Sequence, residues 1–473
     1  MPPARTTLPN RKSEWETVEQ EQAARQQAAG EQIQVFRSLL PTLLKRLARM
    51  PDPRNPKTLK HKLTVLMIYG LLTFVFQMAS RREANRQMTR PMFQENLKLL
   101  FPELEVLPHQ DTLNRLLCRI EVDQLETALI DLIRRFIRRK KFYRYLIGGL
   151  YPIAVDGTQK LKRRQAGAEE WLQRKVAGSE EEQTTQYYVS VLEANLAFAN
   201  GLTLPLLSEF LSYRQGDSEE NKQDSELKAF RRLAARLKEH FPRLPVLLLL
   251  DGLYPNGPLL ELCRQYHWDF MIVLPDDSLP SVWEEVEGLS KLETPKSLDQ
   301  TWGDRRQHFC WINGIEYYYG PNQRKKQILH VVICEESWEE VAADSARIVE
   351  KTSRHAWISD QPLSHHNVHQ RCNLGARHRW AIENSFLVEK RHGYQYEHCF
   401  SHDWNAMRGY HYLMRLGHLV NILAQNTERL AKLVRLLGAR GFIRFLRQTF
   451  SAPWLDAECL QHRLAFPYQL RLE

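Results

Sequence analysis

No CxxC pair occurs anywhere in this sequence, and its cysteines, Cys118, Cys263, Cys310, Cys334, Cys372, Cys399 and Cys459, are scattered and odd in number. That argues against a disulfide framework and against a zinc ribbon, and it suits a reducing compartment. His392, His398, Cys399 and His402 lie close in sequence, but their spacing matches no standard zinc motif. Long hydrophobic runs are also missing. Leu63 to Ala79 is strongly apolar yet short for a membrane span, and Thr64, Gly70, Thr73 and Gln77 interrupt it, so it reads as a buried helix and no membrane partner is expected. No signal peptide is expected either, because the opening stretch is polar and carries both charge signs. There is no internal repeat.

What the chain does have is length and a basic excess. Its 473 residues allow two or three domains and a large core. Lys and Arg number 66 against 56 Asp and Glu, a net charge of +10. The excess is clustered in Arg134-Arg135, in Arg138-Arg139-Lys140-Lys141, and in Glu428 to Gln448, where Arg429, Lys432, Arg435, Arg440, Arg444 and Arg447 face a single acid. Such patches suit a polyanion such as nucleic acid, although either one alone reads equally well as a solvated helix face.

Texture divides the chain. Residues 1–30, rich in Gln, Glu, Arg and Ala, read as a polar tail or frayed helix. Residues 31–145 follow a helical pattern, broken at Pro51, Pro53 and Pro56, with Asp111-Thr112 as a cap for a helix from about Leu113. Residues 146–274 change to α/β. A short apolar strand ends at Val155 and runs into Asp156-Gly157-Thr158. Tyr187 to Ala194 and Leu202 to Phe210 form a hairpin about Asn200-Gly201, and Ser218 to His240 is an amphipathic helix. Leu244 to Leu250 is a buried strand that delivers Asp251-Gly252, and a helix over Pro258 to Gln265 leads to a strand over Phe270 to Leu274. This order predicts a mixed sheet, antiparallel at first and then joined by helical crossovers. Residues 275–350 read as a β-rich insertion, with Asn313-Gly314 as a hairpin turn and Gln327 to Cys334 as a strand. Residues 351–425 return to the sheet at His355 to Ser359 and continue helical, and 426–473 form a basic helical end.

Within the later part, Arg379 to Lys390 holds no Gly or Pro and has helical spacing. At about 100° per residue, Arg379, Glu383 and Lys390 fall on one face, flanked by Trp380 and Leu387 on one side and Ile382 and Phe386 on the other. Ionisable groups in a packing stripe are costly unless paired. The plain structural reading is an Arg-Glu i,i+4 pair with a snorkelling lysine. Asp-Gly after a strand is likewise ordinary turn chemistry. Asp156 and Asp251, however, both follow buried strands at one edge of one inferred sheet, where open α/β sheets hold ligands. With Glu383 they make three carboxylates that can converge. Oxygen donors without Cys or His select Mg²⁺ or Mn²⁺, and two such ions clamp the attacking and leaving oxygens of a phosphoryl displacement. Arg379 and Lys390 would offset that charge and hold phosphates.

Asp156-Gly157-Thr158, Asp251-Gly252 and Arg379-x3-Glu383-x6-Lys390 resemble the DDE transposases of bacterial insertion sequences, in the group with a Y-x2-R-x3-E-x6-K signature. Ala376 stands where that signature has tyrosine. The resemblance implies a ribonuclease H-like mixed-sheet core with a β-rich insertion between the second Asp and the Glu, preceded by an all-helical DNA-binding domain and followed by a basic helical tail. The gaps, 95 residues from 156 to 251 and 132 from 251 to 383, agree with it. It implies cleavage at transposon ends and 3′-OH strand transfer into target DNA. Asp156, Asp251 and Glu383 would bind two Mg²⁺ or Mn²⁺ ions, and Arg379 and Lys390 would hold the DNA backbone, helped by Arg435, Arg440 and Arg444. Trp302 or Trp311 would be the residue that stacks on a displaced base. Double-stranded DNA, as inverted-repeat ends and target, is the expected partner, with a homodimer in the synaptic complex and a bacterial, nucleoid-associated cytoplasmic location. Two other classes remain open: a nuclease or recombinase of the same fold without strand transfer, and a non-catalytic DNA-binding protein.

Overall fold

The first helix among the described residues begins well inside the segment expected to be a tail. In the computed structural model, which describes residues 13–102, 104, 106–177, 183–212, 225–292, 295–341 and 348–473, α1 spans Val18–Leu47. Thr17 caps it, its hydroxyl accepting the Gln20 amide at 3.3 Å, and Glu19 and Glu21 in the first turn match the helix dipole. Arg25, Ala28 and Ala29 are buried, and the Arg25 guanidinium lies 4.2 Å from the Phe445 ring. Small side chains and a cation–π contact therefore pack a stretch whose composition reads as solvent-exposed.

Next come α2 (Leu63–Val75), α3 (Arg81–Met88), α4 (Pro91–Leu100), α5 (Gln110–Leu117) and α6 (Asp123–Arg138). α2 is the apolar run, and nearly all of it is buried. α5 starts ahead of the Asp111-Thr112 cap, because the His109 ring accepts the Asp111 amide at 3.2 Å and caps it instead.

The middle of the chain alternates: β1 (Tyr151–Arg163), β2 (Leu172–Ala177), β3 (Gln183–Ala197), β4 (Thr203–Phe210), α7 (Glu226–His240), β5 (Val246–Leu250), α8 (Gly257–Tyr266) and β6 (Asp269–Val273). β1, β3 and β4 are antiparallel neighbours, whereas β1–β5 and β5–β6 are parallel and joined through α7 and α8, as the pattern predicts. The expected start of α7, from Ser218, lies outside the described residues as far as 224. The sequence pattern does not predict β2.

α9 (Pro280–Leu292), β7 (Lys296–Trp302), β8 (Arg305–Tyr319), β9 (Lys325–Val341) and β10 (Ile348–Ser359) follow. They do not stand apart. β10 pairs with β6, so the β-rich segment prolongs one sheet in the order β2-β3-β1-β5-β6-β10-β9-β8-β7, with β4 also on β3. Asn313-Gly314 is not a turn. β8 runs through it with a register shift, and Gly314 has φ +84°, which places the glycine in a bulge. The reversal falls at Gly303-Asp304, between the paired Trp302 and Arg305.

α10 (Ala381–Arg391), α11 (Trp404–Gln425), α12 (Ala431–Phe450) and α13 (Ala457–Ala465) complete the chain. α11 packs on α2, and α1 packs on α6, α11 and α12, so the first and last helices share one apolar core. Among the described residues no helix is long and apolar enough to cross a membrane.

Candidate active site

Asp156 is not at the end of its strand. β1 continues to Arg163, and Asp156 pairs in register with Glu193 of β3. Asp-Gly composition predicts a turn after Val155, and the continuous pairing to β3 overrides that preference. Asp251 does follow its strand directly, and its Oδ1 accepts the Leu253 amide at 2.9 Å. β1 and β5 are parallel with Ala154 opposite Leu249, so the same offset carries Asp156 opposite Asp251. By strand alternation Asp156 continues the face of Ala154, which with Leu247 and Leu249 packs with Ile382 and Phe386 of α10.

α10 begins later than the sequence motif. Arg379 lies in a 3₁₀ turn, Ala376–Trp380, that follows a π-type turn over Gln370–Gly375. The buried face of α10 is Ile382, Ser385, Phe386 and Glu389. Trp380 and Leu387 are 51% and 45% exposed, so the expected apolar stripe on that side does not pack. Glu383 sits at the edge of the buried face, and its Oε1 accepts from Arg379 Nη2 at 2.7 Å. Arg379 is only 6% exposed, and its Nε and Nη1 have no hydrogen-bond partner. Lys390 Nζ is 3.5 Å from Glu397 Oε1 and lies over the Tyr396 ring.

Burial pushes the Asp156 carboxyl up to about 7; Arg379 opposes this, while Glu383, Asp251 and Glu226 add to it. Glu226 is also raised, by burial first, against its hydrogen bond from Tyr254, with Asp251 contributing. Even so, among the described residues no three His, Cys, Asp or Glu side chains gather closely enough to enclose an ion. The fit to a divalent cation is therefore one of chemistry. The donors are all carboxylate oxygens, and the excess of negative charge at Asp156 is what a hard cation relieves. Glu383, the third acid, is turned to Arg379.

A groove of about 1300 Å³ opens beside Asp251 and Arg379 and runs to the far end of the sheet. Trp302, Trp338, Trp357 and Trp380 line it. Trp311 does not; it is buried and meets the His365 ring. Ala376, at the tyrosine position of the signature, is buried at the groove's inner wall.

Sequence reasoning missed the groups that hold α10 in place. Arg415 of α11 joins Glu389 (3.2 Å) to Glu193 (2.9 Å), and the His418 ring meets Glu389 at 2.7 Å, all of them buried. Arg377 pairs with Glu336 of β9 at 2.5 Å, and Arg305 of β8 pairs with the same carboxylate. The available signals were a charge inside an otherwise apolar strand, at Glu193, and an Arg-x2-His pair inside an apolar helix, at Arg415 and His418.

The basic segments differ in use. Arg440 and Arg444 are exposed on α12, whereas Arg435, also exposed, reaches Glu473 at 3.1 Å. In the earlier cluster Arg134, Arg135 and Lys141 donate to the backbone carbonyls of His240, Ser38 and Leu470, which leaves Arg138, Arg139 and Lys140 exposed.

Residues 44–133, from the end of α1 through most of α6, match the family model described as DDE_Tnp_1-associated. No curated protein matches the chain. The match makes the N-terminal helices similar to a domain associated with DDE-type transposases.

Proposed function

We propose that the chain is a DDE-type DNA transposase, with Asp156, Asp251 and Glu383 as its carboxylates. The observation that carries this reading is that Asp156 on β1 and Asp251 just past β5 continue the register of two parallel strands, with Glu383 on the α10 helix packed over them and the buried Arg379 on the turn before it. Three antiparallel strands followed by parallel strands across helices suit the ribonuclease H-like core that the sequence resemblance implies. The N-terminal family match supports the same class.

In this reading the groove takes the end of double-stranded DNA. Arg379 offers Nε and Nη1 to a backbone phosphate, since both donors are buried and unpartnered. Exposed Trp380 and groove-lining Trp302 offer ring faces to an unpaired base. Asp156, Asp251 and Glu383 would hold two Mg²⁺ or Mn²⁺ ions, which supply Lewis acidity at the attacking and leaving oxygens. Arg440 and Arg444 contact flanking phosphates, and two copies of the chain pair the two ends.

The test is incubation of the purified protein with its flanking DNA ends and Mg²⁺. Nicking that exposes a 3′-OH, and joining of a pre-cleaved 3′-OH end to target DNA, are the expected results. Cleavage without joining would make the protein a nuclease of this fold, and binding without cleavage would remove the enzyme reading altogether.

A further inference from the structure

The segment between β10 and α10 docks on the sheet in steps. Gln300 of β7, Gln307 of β8, Glu336 of β9 and Ser353 of β10 are register partners from strand to strand, so they form one row across four strands. The row is hydrogen-bonded along its length. Gln300 Nε2 donates to Gln307 Oε1 at 3.0 Å, Gln307 Nε2 to Glu336 Oε2 at 3.1 Å, and Ser353 Oγ to Glu336 Oε1 at 2.9 Å. Three residues spaced by four, His369, Asn373 and Arg377, meet it in the same order. The His369 ring lies 2.9 Å from Gln300 Nε2, Asn373 exchanges hydrogen bonds with Gln307 at 2.8 and 3.2 Å, and Arg377 reaches Glu336 at 2.5 Å. Val368, Cys372 and Ala376, spaced in the same way, belong to one buried apolar cluster with Phe309, Val332 and Cys334.

The docked segment is the π-type turn and the 3₁₀ turn that carry the chain to Arg379. Such turns lack the regular α-helical ladder, so their shape depends on outside partners. Glu336 is the charged member of the row. Its side chain is 0% exposed, and it also takes Arg305, whose guanidinium lies 3.8 Å from the centre of the Trp338 ring. Arg377 stands two residues ahead of Arg379, and its guanidinium lies 5.5 Å from the centre of the Trp302 ring. Holding Arg377 therefore holds the turn that aims Arg379. The Glu336 carboxylate is covered, so it acts on a ligand only through the residues it holds.

We infer that Glu336 is a positioning residue for Arg379, and that the β-rich segment serves the centre by fixing this turn. The inference rests on the phosphate role proposed above for Arg379. The two possible effects of Glu336 on DNA binding differ in sign. Removing an acid near the groove strengthens the general attraction for a polyanion. Losing the aim of Arg379 weakens the specific contact.

A double-mutant cycle on the full chain reads this. Affinity for the flanking end DNA, measured by fluorescence anisotropy over a salt series, should fall about tenfold in Arg379→Gln and by a similar factor in Glu336→Gln. Each variant should shallow the slope of log affinity against log salt by about 1. The double variant should bind no more weakly than Arg379→Gln alone, because both changes remove one contact. Melting temperatures report whether each variant folds. If Glu336→Gln does not, Glu336→Asp, which keeps the charge and draws it back from Arg377, carries the same cycle. Wild-type or tighter binding by the Glu336 variant, beside a weak Arg379→Gln, would overturn this inference and leave the proposed function standing. Losses that multiply in the double variant would also overturn it, since Glu336 would then act elsewhere than through Arg379. Wild-type binding by Arg379→Gln would overturn both the phosphate role and the inference.

Discussion

Asp156 within β1 and Asp251 just past the end of β5 continue the offset of a parallel pairing whose last partners are Ala154 and Leu249, 95 residues apart like the two aspartates. Carboxylates so placed repel unless something positive sits between them. Each of Asp156→Ala, Asp251→Ala and Glu383→Ala should lose nicking and strand transfer while still binding end DNA in a mobility-shift assay. Near-normal cleavage by any one variant would remove that residue from the site.

Burial of Asp156, with its acidic neighbours adding to it, has a stability consequence. Burial pushes the folded Asp156 carboxyl up to about 7, against near 4 in the unfolded chain, so the folded state holds the extra proton between those values. Metal-free stability therefore falls as pH rises from about 4 to about 7. Asp156→Asn removes that loss, which is roughly 2–4 kcal/mol at pH 8. At about 2 cal/mol/K per residue, a 473-residue chain gains only about 1 °C per kcal/mol. Scanning calorimetry in chelator should show the variant a few degrees above wild type at pH 8 and level with it at pH 4. A variant that melts lower at pH 8 would mean that Asp156 is compensated by a partner.

The oxygen-only donor set sets the metal preference. Mg²⁺ and Mn²⁺ should support cleavage, chelator should abolish it, and Ca²⁺, with its larger and looser coordination, should inhibit. Full activity in EDTA would defeat the metal mechanism.

His411 gives a second pH effect, unconnected with catalysis. Burial holds its ring down to about 4; Glu193 opposes this, while Lys160 and Arg415 add to the lowering, with Ser208 and Tyr396 also against the ring. The ring is neutral when folded and protonates near 6.5 when unfolded, so stability is lost as pH falls from about 6.5 towards 4. The loss at pH 5 is about 2 kcal/mol. Urea melts at pH 7 and pH 5 should show it in wild type, and His411→Gln should flatten the difference. An unchanged pH dependence in the variant would move the effect to other groups.

Salt dependence tests the basic helix. Arg440 and Arg444 are exposed, so neutral variants should shallow the slope of log affinity against log salt by about 1 for each phosphate no longer neutralised. Arg435→Gln should change it less, because Glu473 already engages that side chain. Equal slopes for all three variants and wild type would leave DNA binding to other surfaces.

Periodicity and turn chemistry made much of the core legible. The strands over Leu244–Leu250 and Phe270–Leu274, the hairpin at Asn200-Gly201 and the helix at Pro258 all recur in the structure. The errors share a cause, namely local preference overridden by pairing at a distance. Asp156-Gly157 and Asn313-Gly314 have turn composition, yet each is held inside a strand by its neighbour. Helical spacing placed Glu383 correctly on α10 but could not show that Trp380 faces solvent or that Glu193 anchors the helix through Arg415. Those facts depend on which faces meet, and spacing within one element carries no record of that.

Lys390 is the hardest of the motif residues to place from sequence. It is too far along α10 to pair closely with Glu383, with about 10 Å of helix rise between them, so it needs another anion. A carboxylate is at hand: Glu397, 48% exposed, lies 3.5 Å from a lysine head that is itself 20% exposed. A pair that open contributes less than about 1 kcal/mol. If Lys390 serves DNA, Lys390→Ala should leave the melting temperature almost unchanged and reduce end cleavage or end binding at least tenfold, since a charge-assisted phosphate contact is worth about 1.5 kcal/mol or more. Glu397→Gln should then cleave as well as wild type or better, because it frees the lysine. If the pair is what matters, the two variants should behave alike, with a shared drop in melting temperature and normal chemistry in the folded fraction. Measuring both variants for melting and for end cleavage on one preparation decides between a phosphate ligand and a surface ion pair.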